Sequence, residues 1–133
     1  MRNLILTDTG PLYALADPTD QFHYRATTEL DRAADFTVVV LYPVVCEAHT
    51  LVLRRLGARY AQKWVNELRA GSVLANPDSA DYIAAMAQAG KFSGQGVTLV
   101  DAVLAVWPCK ADVPIWSFDR HFATMRSILW KPA

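Results

Sequence analysis

Six consecutive residues, Phe36-Thr37-Val38-Val39-Val40-Leu41, carry four β-branched side chains and no charge. They lack the polar–apolar alternation of a strand with one wet face, so they predict a strand covered on both sides. Strands of that kind belong to parallel sheets, because parallel neighbours are joined by crossover helices that lie against the sheet.

The rest of the chain supplies those helices. Leu4-Ile5-Leu6-Thr7 predicts a first short buried strand, and Asp8-Thr9-Gly10-Pro11 a turn opening a helix whose apolar face is Leu12, Leu15 and Ala16. After the turn Asp17-Pro18-Thr19-Asp20, residues 24–34 predict an exposed helix with Glu29, Asp31 and Arg32 on its wet side. Pro43 opens the helix after the valine strand, carrying Val44, Val45, Ala48, Leu51 and Val52, and Gly57 ends or kinks it. Residues 59–70 predict another helix, with Tyr60, Trp64 and Leu68 at four-residue spacing.

A short strand at Ser72-Val73-Leu74-Ala75 and a helix from Pro77-Asp78 to Ala89 follow. Gly90, Gly94 and Gly96 mark a mobile loop before an almost wholly apolar helix from Thr98 to about Trp107. Residues 113–117 predict a strand, and Ile128-Leu129-Trp130 a last edge strand. Strands alternating with helices imply an α/β fold of three layers, a central parallel sheet flanked by helices. With 133 residues, no repeat and no linker, residues 1–133 are expected to form a single domain.

Composition excludes several classes. Hydrophobic residues make up 53% and charged residues 20%, which places the chain with well-cored globular proteins rather than disordered ones. The formal net charge of zero argues against a protein that coats nucleic acid through bulk positive charge, yet leaves room for a local basic patch. Cys46 and Cys109 form no CxxC pair and no zinc-ligand spacing; two reduced thiols are expected. No apolar stretch reaches the roughly 20 residues that cross a bilayer, and no signal peptide is visible, so a cytoplasmic location is expected.

Four acids carry the chemistry. In open parallel sheets ligands bind outside the carboxyl ends of the strands. Asp8 follows the first strand and Asp119 the 113–117 strand, while Glu47 and Asp101 lie in the opening turns of helices. Taken singly, each has a structural explanation. Asp8 is a suitable helix N-cap, Glu47 suits a positive helix terminus, Thr98-Leu99-Val100-Asp101 has the form of a capping box, and Asp119 can cap a turn. Asp101 is nevertheless the one charged residue between Val97 and Trp107, and a buried carboxylate is costly unless paired or bound to a cation.

Convergence of all four would sharpen the reading. Two carboxylates about 5 Å apart repel by about 3 kcal/mol at an effective dielectric near 20. Such a cluster takes up protons or binds a hard cation, and oxygen ligands without Cys or a clear His partner favour Mg²⁺ or Mn²⁺. Phosphodiester hydrolysis is the natural reaction for such a centre.

The same segments carry a family resemblance. Leu4-Ile5-Leu6-Thr7-Asp8-Thr9-Gly10-Pro11-Leu12 resembles the opening strand and turn of PIN domains. Val44-Val45-Cys46-Glu47-Ala48 is similar to their helix with the second acid, and Thr98-Leu99-Val100-Asp101-Ala102-Val103-Leu104-Ala105 to their most recognisable helix. Ile115-Trp116-Ser117-Phe118-Asp119-Arg120-His121-Phe122 resembles their terminal strand and acid. The resemblance covers essentially the whole chain. It implies a PIN fold and a Mg²⁺- or Mn²⁺-dependent ribonuclease with Asp8, Glu47, Asp101 and Asp119 as catalytic, metal-binding acids. Thr98 and Ser117 match supporting Ser/Thr positions. A lone domain of this size further resembles VapC, the toxin half of bacterial toxin–antitoxin pairs, which implies an RNA substrate, a VapB-type antitoxin and a homodimer.

Two positions depart from the pattern. His121 stands where many members carry a further acid, and Pro108 falls where their helix often continues, so the helix is expected to end or kink near Trp107. Arg54, Arg55, Arg59, Lys63 and Arg69 form a basic stretch; Arg54 and Arg55 are candidates for RNA phosphate contacts, though a solvated helix face is the favoured explanation. His23 and His49 lack metal-ligand spacing, and no GxxxxGK[ST] loop accompanies the glycines near Lys91. Two other functions fit an α/β chain with acids at strand ends. One is a non-catalytic PIN-fold module binding RNA or protein; the other is a phosphoacceptor or phosphatase-type domain, against which Gly10 counts because the DxDxT pattern is absent.

Overall fold

The computed structural model describes residues 3–109, 112–119, 122 and 129–132. Its valine-rich segment forms a strand buried in an all-parallel sheet. Strand β1 (Asn3–Thr7) pairs in parallel with β2 (Phe36–Leu41), Asn3 opposite Phe36 and Leu6 opposite Val39. β2 pairs in parallel with β3 (Val73–Ala75), and β1 with β4 (Ile115–Trp116), giving the order β3-β2-β1-β4. The chain thus grows to one side of β1 through β2 and β3, then crosses back to place β4 on its other side. β1 and β4 flank the switch point, where the crevice above a doubly wound sheet opens.

Successive strand residues face opposite sides, and the core divides accordingly. Leu6 and Ile115 pack into the larger apolar cluster with Val44, Ala48 and Leu104, whereas Ile5 and Trp116 join Ala14, Ala26 and Trp130 in a second one. The central strands are therefore covered on both faces, as the charge-free run at β2 implied. The covering helices are α1 (Thr9–Ala16), α2 (His23–Arg32), α3 (Tyr42–Leu56), α4 (Ala58–Gly71), α5 (Ser79–Lys91) and α6 (Leu99–Cys109). Gly57 lies between α3 and α4 at φ 91°, a left-handed conformation that ends α3 cleanly.

Several expectations are corrected. Glu29 does not lie on a wet face: it is buried, and its carboxylate accepts a 3.1 Å bond from Trp116 Nε1 and a 3.0 Å bond from Arg25. Tyr60 is exposed, so α4 buries Ala61, Trp64 and Leu68 instead. Gly90 belongs to α5, and the connection to α6 contains a 3₁₀ turn at Ser93–Gln95. The last strand ladder is confined to Ile115 and Trp116, with Leu129 making a parallel bridge to Ile115; Ile128 lies outside the described residues. α6 ends at Cys109, one residue past Pro108 and two past Trp107, close to where the proline is expected to stop it. Cys46 is an exposed free thiol. No helix among the described residues is long and apolar enough to cross a membrane.

Candidate active site

The backbone at the switch point delivers the first two acids. Asp8 follows β1 directly, and its amide donates to Trp116 O at 2.9 Å, extending the β1–β4 pairing by one bond. Asp8 is the N-cap of α1: one carboxylate oxygen accepts from Thr9 N at 2.8 Å. The other accepts from Ser117 Oγ at 2.7 Å, and that same hydroxyl oxygen accepts from Asp119 N at 2.9 Å. One serine side chain thus links the acid after β1 to the backbone of the acid after β4.

Asp101 arrives from α6. Its amide donates to Thr98 Oγ1 and its carboxylate accepts from Thr98 N, both at 3.1 Å. The capping box is real, and it fixes the start of α6. Glu47 is different. It is the sixth residue of α3, outside the first turn, so helix-terminus electrostatics do not account for it. It is half-buried among neighbours that include the core residues Val44 and Ala48.

All four carboxylates line one cavity of about 620 Å³, together with Thr9, Gly10, Gly96 and Thr98. Its remaining wall is Phe22, Leu51 and Phe118, and no lysine or arginine among the described residues contributes to it. Gly96 holds φ 70°, which lets the backbone turn tightly at the rim before α6. A second, smaller cavity of about 290 Å³, lined by Leu12, Leu15, Trp64 and Trp116, is mainly apolar and holds none of the four acids.

The electrostatics centre on Asp8. Burial pushes its carboxyl from the ordinary 3.8 up to about 6; the bonds from Ser117 and Thr9 oppose this, and the charges of Asp101 and Asp119 add to it. A buried carboxylate held among like charges is a place where a cation relieves both strains at once. The donors are oxygen throughout, which suits Mg²⁺ or Mn²⁺ rather than zinc. The buried Thr9 Oγ1 in the same wall has no hydrogen-bond partner among the described residues. As the side chains stand, no three His, Cys, Asp or Glu groups of the described residues form a ready cage for an ion. The donor chemistry fits a hard cation whose remaining ligands are water, the usual state of Mg²⁺ on proteins.

Arg54 and Arg55 are exposed on α3 and are not part of the cavity wall. Arg55 lies 4.9 Å from the Tyr13 ring centroid, and Tyr13 in turn donates to Asp17 at 2.5 Å. His23 Nδ1 lies 2.7 Å from Ala14 O, and His49 packs beside Trp64. His121 lies outside the described residues. Phe22 and Phe118 were not singled out from the sequence. Phe118 sits between Ser117 and Asp119, so its place in that motif was a signal; Phe22, in a polar turn, gave none.

No family model matches the sequence, and no curated protein matches it. Solved structures do. VapC20 of Mycobacterium tuberculosis, a sarcin–ricin loop cleaving toxin, superposes at a TM-score of 0.85 with 21% identity, over 96% of this chain and 99% of that one. The fold is that of the PIN domain. FitAcB from Neisseria gonorrhoeae shares it at a TM-score of 0.69 and 20% identity, over 96% and 97% of the two chains. VapBC2 from Rickettsia felis, solved bound to a DNA fragment from its promoter, shares it at 0.71 and 10% identity, again over 96% and 97%. The PIN fold spans nearly the full length of both partners in every case.

Proposed function

We propose that this chain is a metal-dependent endoribonuclease that hydrolyses RNA phosphodiester bonds, the toxin of a VapBC-type toxin–antitoxin pair. The observation that carries the reading is the convergence of Asp8, Glu47, Asp101 and Asp119 on one cavity at the switch point of a parallel sheet. Capping bonds account for Asp8 and Asp101, but no cap accounts for Glu47, six residues into α3 and facing the same cavity. Similarity to VapC20, whose action is cleavage of the sarcin–ricin loop, favours RNA over other phosphodiesters. The same comparisons favour a VapB-type antitoxin as partner, and the reading includes a homodimer.

Asp8, Asp101 and Asp119 would hold the cation, with Glu47 facing the same space from α3. Mg²⁺ or Mn²⁺, when bound, supplies the Lewis acidity that activates water and offsets charge on the phosphoryl oxygens. Ser117 keeps Asp8 and the backbone at Asp119 in register through its two hydrogen bonds. Thr98 fixes Asp101 at the start of α6 through the capping box. Arg54 and Arg55, exposed on the helix that carries Glu47, serve as phosphate contacts beyond the cavity.

The test is cleavage of a mixed tRNA and rRNA pool by wild type and Asp101→Asn with Mg²⁺, Mn²⁺ or EDTA. Metal-dependent cutting by wild type, lost in the near-isosteric variant, is expected. Equal cutting by both proteins, or cutting that EDTA leaves intact, overturns the reading.

A further inference from the structure

The cavity that collects the carboxylates also has an aromatic side. Phe22 and Phe118 both line it, with ring centroids 5.2 Å apart and planes tilted by 41°. Phe118 is held from behind: Arg25 lies 4.3 Å from its centroid and Trp116 meets it edge-on. Phe22 remains 38% exposed. Packing on Phe118 buries part of the ring, and the rest faces water at the rim of an acidic cavity.

Its backbone is nonetheless fixed. Phe22 N donates to Asp20 at 3.0 Å, and Phe22 O accepts from Ala26 N at 2.9 Å as α2 begins. The ring is presented from a rigid turn and rests on a second ring, so little ordering remains to be done when something lands on it. What can land there is restricted by charge. Phosphate is held at the carboxylates only through a bound cation, and no basic residue among the described residues lines the wall to hold it elsewhere, least of all at the aromatic side. The part of an RNA strand that fits an exposed phenyl ring is a base, whose flat face stacks on aromatic side chains whatever its identity.

We propose that Phe22 is a stacking platform for one unpaired nucleobase of the RNA strand whose phosphodiester lies at the carboxylates, a substrate-positioning residue that selects single-stranded over paired RNA. The proposal rests on the ribonuclease reading above. Phe118 supports the ring from beneath. Because every base offers such a face, the contact sets strand register and affinity and leaves base identity unread.

The experiment measures anisotropy of a labelled, random-sequence single-stranded RNA on chains carrying Asp101→Asn, so that the strand is bound and not cut. Phe22→Ala and Phe22→Leu are expected to weaken binding about five- to a hundredfold, with Phe22→Trp binding like the parent and its indole emission quenched by the RNA. A fully paired duplex should bind all four proteins alike. Phe22→Leu is the decisive variant, since it keeps apolar bulk and removes the ring; circular dichroism confirms that each variant is folded. Parent-like binding by Phe22→Leu, or an equal loss on the duplex, overturns the proposal. If that happens while wild type cuts RNA in the pool assay, the ribonuclease reading stands and this inference alone falls. If wild type neither cuts nor binds RNA, both fall.

Discussion

Ser117 donates a 2.7 Å hydrogen bond to Asp8 across 109 positions of the chain. The bond favours the charged form of a carboxyl that burial drives the other way. Removing it should therefore raise the Asp8 carboxyl further and loosen the backbone at Asp119, which bonds the same oxygen.

Ser117→Ala is expected to lower Mn²⁺ affinity about 10- to 100-fold, the range seen when a hydrogen-bonded partner of a ligand is lost. Ser117→Thr keeps the hydroxyl and should bind within a few-fold of wild type. Calorimetric titration at neutral pH, with circular dichroism to confirm folding, reads both. Unchanged affinity in the alanine variant would remove Ser117 from the site.

Asp8 itself should limit stability in the absence of cation. Its folded-state value of about 6 lies above the ordinary 3.8, so the folded protein holds the proton more tightly than the unfolded chain. Below the ordinary value the carboxyl is protonated in both states and costs nothing. Stability is lost as pH rises from there to about 6, and above that the full cost, about 3 kcal/mol, persists. Asp8→Asn should thus be more stable than wild type by about 2–3 kcal/mol near pH 8 in EDTA, with little difference near pH 3.5. Saturating Mg²⁺ should narrow the gap at pH 8, because it stabilises only the protein whose charge it neutralises. Urea melts under the three conditions decide; a variant less stable than wild type at pH 8 would contradict the assignment.

Asp17 works in the opposite sense. Bonds from Tyr13 and Thr19, with Arg55 nearby, hold its carboxyl below the ordinary value. Its contribution is present above that value and is lost as pH falls through the depressed one. Asp17→Asn should therefore flatten the acid limb of the stability curve while leaving the Asp8 effect between 3.8 and about 6 in place.

Much of this architecture is legible in local sequence because local physics settles it. The Phe36–Leu41 run has no polar face to expose, which requires cover on both sides, and the structure places that strand inside the sheet. Asp8 and Thr98 mark helix starts by cap chemistry available in any context. What local reading misses is decided by distant partners. Glu29 has the periodicity of an exposed helical acid, yet an indole 87 positions away claims its carboxylate. Tyr60 fits an apolar face by spacing, but the neighbouring helices bury the Ala61 side instead. That four acids share one cavity depends on the crossover from β3 to β4, which no single segment encodes.

Thr98 offers a way to separate capping from chemistry. Its hydroxyl accepts from Asp101 N and so closes the first turn of α6. Thr98→Ala should cost about 1 kcal/mol by loss of the cap, while Thr98→Ser should be nearly neutral. Asp101→Asn retains an oxygen that can accept from Thr98 N, so its melting should resemble wild type although its cleavage is abolished. Denaturation and cleavage measured on the three variants give this crossed pattern. A variant pair in which activity simply tracks stability would mean that Asp101 is a cap and nothing more.

Glu29 tests whether the platform beneath the site depends on a buried acid. Its two oxygens serve different partners: Trp116, next to Ser117 in the chain, and Arg25, whose guanidinium also covers Phe118. The arginine side chain is 54% exposed, so the ion pair is screened and worth at most about 1 kcal/mol. The indole N–H is another matter, because Trp116 is fully buried and has no water to turn to. Glu29→Gln keeps an acceptor for that N–H and should cost about 1 kcal/mol or less, whereas Glu29→Ala strands it and should cost about 2 kcal/mol more. The alanine variant should also lose RNA affinity together with stability, since Arg25 is no longer anchored over Phe118. Urea denaturation with RNA anisotropy on the same samples reads both effects. Equal stability of the two variants would show that the indole finds another acceptor and that α2 is held to β4 by packing alone.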